Sequence, residues 1–272
     1  MNLRSLAAIA LFSVATATIS SGAAQAPGAV ARSAGKGFVS RTVVVEGVAY
    51  RYQVYVPREF QRSTSWPVIL ALHGSGQAGS DGQEQTEVAL GDSVRRHSER
   101  FPALVVFPQI ATDGMADWHM RGGVAALAAL DRTIAEFNGD PSRVYLTGNS
   151  SGGNGAWFLA TQHPERFAAL AVVCGFVSED RGRQAYPSIA PASTPDLFAY
   201  VASRISSIPV WIFHGGADPV VPVEESRHMF AALKAAGADV QYTELPGVGH
   251  DSWNWAYENP DLIAWMLKQR RK

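Results

Sequence analysis

The sequence predicts an α/β fold: a mostly parallel central sheet with helices on both faces, entered through an N-terminal antiparallel hairpin. Three observations point there. Apolar runs of strand length at 67–72, 103–107, 167–173 and 210–214 suit strands buried on both faces. Helix-compatible segments at 87–99, 122–137, 151–162, 223–236 and 261–268 alternate with them, the pattern of parallel strands joined by crossover helices. Residues 41–45 and 48–55 are β-branched and alternating, and they meet at Glu46-Gly47, a hairpin turn.

The order along the chain is regular. After the hairpin, the strand at 67–72 ends in His73-Gly74-Ser75-Gly76 and a polar loop runs to about 86. The helix at 87–99 leads to the strand at 103–107, which Pro108-Gln109 closes. A loop with Asp117-Trp118-His119 precedes the helix at 122–137, and Asn138-Gly139-Asp140-Pro141 stops it. A strand at 143–147 runs into Gly148-Asn149-Ser150-Ser151-Gly152, with a helix following to about 162. Strands at 167–173, 210–214 and 240–244, a helix at 223–236 and a closing helix at 261–268 complete the pattern. Residues 178–207 break it, with prolines at 187, 191 and 195; they read as a candidate cap over the carboxyl end of the sheet, or else as a long surface connection.

With 272 residues, 47% hydrophobic and 17% charged, the chain has the apolar content for one large core. A net charge of −1 gives no basis for nucleic acid or an acidic membrane surface as partner. Residues 1–26 carry Arg4, an apolar stretch at 6–14 and then small residues, the pattern of a secretory signal too short to span a bilayer. This predicts an exported protein, periplasmic or secreted, with no stable membrane anchor. Residues 27–40 read as a linker and 41–272 as the domain. Cys174 is the one cysteine, so no internal disulfide forms, and inside Ala171-Val172-Val173-Cys174 it reads as a small buried hydrophobe.

The chemistry centres on Gly148-Asn149-Ser150-Ser151-Gly152. Strand, Gly-x-Ser-x-Gly, helix is a turn that lifts one serine hydroxyl to the carboxyl end of a strand. A serine hydroxyl needs a base to take its proton, and the base needs a third group to fix its tautomer. The expected chain order is Ser, then Asp or Glu, then His. Asp218 follows the strand at 210–214, and His250 follows the strand at 240–244, on loops expected at the same sheet edge as Ser150. Asp218 also suits an Asx-turn before Pro219, and Asp196 is a weaker acid candidate. Oxyanion donors are expected from the backbone N–H of Ser151 and of Ser75. Trp118, Trp253, Trp255 and Tyr257 are candidates to line a substrate cleft; Trp253 and Trp255 equally suit packing of the His250 loop. His73 and His214, at strand ends, read as structural, and His119 is undecided. No cluster has metal-ligand spacing and no dinucleotide-binding glycine pattern follows the first strands, so no metal and no cofactor is expected.

Taken together, Leu72-His73-Gly74, the run from Asp140 to Gly148, the turn with Gly152-Gly153, His214-Gly215-Gly216-Ala217-Asp218 with Val221-Pro222, and His250-Asp251-Ser252-Trp253 resemble the α/β-hydrolase superfamily of serine esterases. The similarity is strongest to an exported bacterial branch described as feruloyl-esterase-like, polyhydroxybutyrate-depolymerase-like or predicted peptidases. It spans residues 43–268 and implies an α/β-hydrolase fold with Ser150 as nucleophile, Asp218 as acid and His250 as base. Ser151 stands where that branch usually has methionine or another apolar residue, and Asn149 where it often has leucine or an aromatic, which implies a more polar acyl pocket. The expected activity is carboxylic ester hydrolysis through an acyl-enzyme, on a small, hydroxycinnamoyl or oligomeric ester. The alternatives are a serine peptidase on the same residues, an acyltransferase, and a binding module without catalysis.

Overall fold

The computed structural model describes residues 36–111, 118–178 and 188–271, all within one unit, Ala34–Lys272. Its strands are β1 (Gly37–Val45), β2 (Val48–Val56), β3 (Trp66–Leu72), β4 (Leu104–Pro108), β5 (Gly139–Asn149), β6 (Ala169–Val173), β7 (Val210–Gly215) and β8 (Val240–Leu245). Its helices are α1 (Ala89–Arg96), α2 (Arg121–Phe137), α3 (Ser151–Gln162), α4 (Leu197–Ile205), α5 (Glu224–Ala235), α6 (Trp253–Ala256) and α7 (Pro260–Lys268).

The eight strands form one sheet in the order β1-β2-β4-β3-β5-β6-β7-β8. β1 and β2 pair antiparallel, β2 pairs antiparallel with β4, and every other pair is parallel. The fold class, including the leading hairpin, is as the sequence predicts. All seven residues of β3 are buried, and alternation explains why the run is apolar throughout. Val68, Leu70 and Leu72 enter a core with Ala126 and Leu130 of α2, Trp157 of α3, Val201 of α4 and Met229 of α5. Ile69 and Ala71 enter the opposite core with Leu90 and Val94 of α1 and Leu262 and Met266 of α7.

The strand order fixes where a site can form. β3 is followed outward by β4, and the chain then returns across β3 to place β5 on its other side. The connections leaving β3 and β5 therefore diverge, opening a crevice at their carboxyl ends. The glycine turn after β3 and the serine turn after β5 both lie there.

Several boundaries differ from the sequence reading. β1 starts at Gly37, so residues 37–40, read as linker, are strand paired with Gln53 to Val56; Phe38 and Val39 suit a strand, and the cross-strand pairing with β2 decides it. The signal reading and residues 27–35 of the linker lie outside the described residues. β5 begins at Gly139, where Asn138 ends α2 in a left-handed conformation (φ 53°). Part of the candidate cap at 178–207 is α4, which packs on α3 and α5 and buries Val201, Ala202 and Ile205. It is the crossover helix between β6 and β7; residues 179–187 lie outside the described residues. No described helix is long and apolar enough to cross a membrane.

Candidate active site

Ser150 sits between β5 and α3 with φ 53° and ψ −121°, a strained conformation for a residue with a side chain. Two backbone bonds hold it: Ser150 N–H donates to Val173 O at 3.0 Å, and Asn154 N–H donates to Ser150 O at 3.0 Å. The turn is too tight for neighbouring side chains. A Cβ on Gly148 would lie 2.2 Å from Gly152 O, and one on Gly152 would lie 2.2 Å from Leu72 O. The first N–H groups of α3 have no acceptor within the helix and gather beside Ser150.

The loops after β7 and β8 are joined by backbone hydrogen bonds. Gly216 N–H donates to Leu245 O at 2.8 Å and Ala217 N–H to Val248 O at 3.0 Å. A Cβ on Gly215 would meet Gly249 O at 2.1 Å, so glycine is what lets the loops touch. This contact brings Asp218 to His250. His250 Nδ1 lies 2.8 Å from Asp218 Oδ2, and His250 Nε2 lies 2.9 Å from Ser150 Oγ. With the carboxylate accepting at Nδ1, the neutral ring presents Nε2 as acceptor for the serine hydroxyl.

The Asp218 side chain is fully buried. Its Oδ1 accepts from Val220 N–H at 2.8 Å and Val221 N–H at 2.9 Å, so the Asx-turn and the contact with His250 coexist, one on each oxygen. On Oδ2 a second imidazole approaches, His214 Nε2 at 3.3 Å. Burial by itself would raise this carboxyl. The hydrogen bonds from His214, His250, Val221 and Val220 outweigh it and hold Asp218 well below the usual carboxylate range.

The loop after β3 supplies the facing wall. A Cβ on Gly74 would lie 3.5 Å from Ser150 Cβ, so this backbone runs directly beside the serine. His73 Nδ1 lies 2.7 Å from Gly74 O, and its Nε2 accepts from Ile110 N–H at 3.2 Å. Both ring nitrogens are committed in the neutral tautomer, and burial pushes the imidazole down to about 4, partly offset by the bond to Gly74 O. With Gly74 O fixed, the trans peptide aims Ser75 N–H the opposite way, at the start of a short 3-10 turn, Ser75–Gln77. Ser151, next to Ser150 in the chain, is buried. The loop that carries Ser75 passes beside Ser150 at Gly74.

The aromatic candidates separate. Trp118 does not line a cleft: it is 1% exposed, its Nε1–H donates to His73 O at 3.3 Å, and Gly155 packs against its ring. Tyr257 is also buried, its hydroxyl 2.9 Å from Thr147 Oγ1. Both are apolar enough to serve the core, which took them. Trp253 is half-buried and meets the His250 ring edge-on, with centroids 5.3 Å apart. Trp255 is 48% exposed. Asp196 is not an acid partner; it caps α4, accepting from Ala199 N–H at 3.0 Å. His119 Nε2 lies 2.8 Å from Asn154 Oδ1 and its ring stacks on Phe158. Cys174 is buried as expected, but its position was not foreseen: its sulfur, a carboxylate oxygen of Asp218 and a ring nitrogen of His250 lie within 4.8 Å of one another. Strand order could have suggested this, since β6 ends between β5 and β7.

The profile of the prolyl oligopeptidase family matches residues 117–270. The chain belongs to that family. The matched span holds Ser150, Asp218 and His250. An uncharacterized secreted protein of Arthroderma benhamiae is 29% identical to this family member over 70% of the chain and 22% of that protein. Acetylxylan esterase A of Emericella nidulans is 28% identical over 61% of the chain and 60% of that protein. A crystal structure of a thermostable esterase superposes with a TM-score of 0.71 at 28% identity, over 86% of the chain and 63% of that one. The chain thus spans between about a fifth and just under two thirds of these relatives. The α/β-hydrolase fold expected from the motifs holds for this prolyl oligopeptidase family chain.

Proposed function

We propose that the chain is a carboxylic ester hydrolase acting through an acyl-enzyme. The observation that carries this is the unbroken hydrogen-bond path from Ser150 through His250 to Asp218, set on a strained turn. Ser150 Oγ attacks the ester carbonyl carbon as His250 Nε2 takes the hydroxyl proton. Charge gathers on the former carbonyl oxygen, beside the N–H groups of Ser151 and Ser75. As the bond to the alcohol breaks, His250 returns the proton to the leaving alkoxide. Water then attacks the acyl-serine by the same route, giving the carboxylic acid and restoring Ser150. Asp218 stays ionised throughout and balances the imidazolium.

Ester substrates are favoured by the names of the relatives, an acetylxylan esterase and a thermostable esterase. The family name favours a second reading, peptide hydrolysis on the same residues. The acyl groups proposed are of the small, hydroxycinnamoyl or oligomeric kind, with the exposed Trp255, five residues after His250, as the candidate contact for an aromatic one. A panel of short-chain, long-chain and hydroxycinnamate esters, run beside matched anilides, separates the readings: turnover of esters alone supports the proposal, and anilide turnover at comparable rates contradicts it.

Export is part of the proposal. The signal pattern in residues 1–26 and the secreted relative support it. N-terminal sequencing of protein recovered outside the cytoplasm tests it, with cleavage among the small residues before Pro27 expected and an intact Met1 contradicting it.

A further inference from the structure

His214 stands at the end of β7 with its side chain fully buried, and the acyl-transfer steps above give it no part. Its surroundings are nonetheless fully specified. Nε2 lies 3.0 Å from Val221 O and 3.3 Å from Asp218 Oδ2, while Nδ1 lies 2.6 Å from Ser226 Oγ on α5. A carbonyl oxygen and an ionised carboxylate only accept, so Nε2 carries the hydrogen. In the neutral ring Nδ1 then accepts, and the Ser226 hydroxyl donates to it. Ser226 is itself buried, so this donor has no water to turn to.

The result is a carboxylate with its acceptor sites filled. Val220 and Val221 N–H donate to Oδ1, His250 donates to Oδ2, and the single hydrogen on His214 Nε2 is shared between Val221 O at 3.0 Å and Oδ2 at 3.3 Å. Remove the His214 donor and one side of Oδ2 faces an unfilled, water-free position, so the carboxylate gains freedom to turn about its Cβ–Cγ bond, away from His250. A misplaced acid leaves His250 free to adopt the wrong tautomer, which presents a hydrogen rather than a lone pair to Ser150.

We propose that His214 is a positioning residue for acyl transfer, clamping Asp218 Oδ2 on its line to His250 through a tautomer that Ser226 fixes. The proposal rests on the hydrolase reading above and adds a residue that the Ser-Asp-His set does not contain. Because His214 touches neither substrate nor nucleophile, its loss lowers kcat and leaves KM in place. Glutamine, whose side-chain amide reaches about as far as Nε2 and donates a hydrogen, substitutes for it; leucine does not.

The test compares the full chain with His214→Leu, His214→Gln and Ser226→Ala, reading kcat and KM for an ester and, separately, the rate at which a fluorophosphonate labels Ser150. The expected result is a fall in kcat and labelling rate of about 30-fold for His214→Leu, the size of one lost hydrogen bond to a charged group, with KM held within about twofold. His214→Gln recovers most of the loss, and Ser226→Ala falls between. A folded His214→Leu with the parent's kcat and labelling rate overturns the proposal, as does a glutamine variant no faster than leucine. If His214→Leu does not fold, Ser226→Ala decides, and parental rates there overturn it. The labelling rate keeps the two readings apart: a parent protein that labels but hydrolyses no ester sinks the ester reading, while the variants' labelling rates still judge His214.

Discussion

Ser150 Oγ and His250 Nε2 lie 2.9 Å apart although 100 residues separate them in the chain. What closes that distance is strand order. β5, β7 and β8 run parallel, so their following loops emerge at one edge, and the glycine at 215 lets two of those loops touch. The hydrogen-bond path is therefore a consequence of sheet topology and of a side chain that is absent at 215.

Asp218→Asn keeps the size of the side chain and removes its charge. The amide nitrogen competes with the two imidazole donors on Oδ2, and His250 loses the group that selects its tautomer. A loss of roughly 10³- to 10⁴-fold in kcat is expected. Steady-state ester hydrolysis measures it, and a loss below tenfold contradicts the assigned role.

Gly152→Ala tests the turn by packing alone. Its methyl would lie 2.2 Å from Leu72 O and 2.6 Å from His73 O, both backbone atoms at the end of β3. The backbone must shift, at a cost of about 3 kcal/mol. That corresponds to a Tm lower by roughly 10 °C in a domain of this size. Thermal unfolding reads it; an unchanged Tm means the turn has room that the structure denies.

His73 links pH to stability. Its imidazole has a pKa of about 4 in the folded protein, against an ordinary value of 6.5 in the unfolded chain. The unfolded state therefore binds the extra proton first. Stability from this group is complete above about 6.5, falls as pH drops, and is lost below about 4, by up to about 3 kcal/mol. Urea midpoints for the parent and for His73→Asn between pH 7 and pH 4 check this. The parent should lose more stability than the variant, and parallel curves contradict it.

The two tryptophans near His250 should behave differently. Trp253→Ala removes the ring that packs edge-on against the base, so kcat should fall by about tenfold, as expected for an aromatic pair worth up to about 1.5 kcal/mol. Trp255→Ala removes an exposed ring, so any effect should appear in KM for aromatic esters, with kcat kept. The reverse pattern in Michaelis kinetics contradicts both assignments.

Much of this was legible in the sequence because it depends on local pattern. Apolar runs marked the strands, Gly-x-Ser-x-Gly marked the turn, and acid and base followed strands in the expected order. What the sequence hid depends on neighbours far along the chain. His214 reads as a strand-end residue until β7 is seen to deliver it to both the Asp218 loop and Ser226. Cys174 reads as a small hydrophobe until β6 is seen to end beside the acid and base. Trp118 reads as cleft material because composition does not say which face of a loop is covered; Gly155, lacking a side chain, makes the room that buries it. Residues 37–40 read as linker because their pairing with β2 is not written in their own composition.

The most direct test of the whole account is covalent labelling of the nucleophile. The full chain is treated with a fluorophosphonate and digested, and the modified residue is located by mass spectrometry, beside Ser150→Ala in parallel. The account predicts one adduct, on Ser150, with ester turnover lost as it forms, and neither adduct nor turnover in a Ser150→Ala protein of parental Tm. Ester turnover retained in Ser150→Ala, or an adduct on another serine that accompanies inactivation, contradicts it.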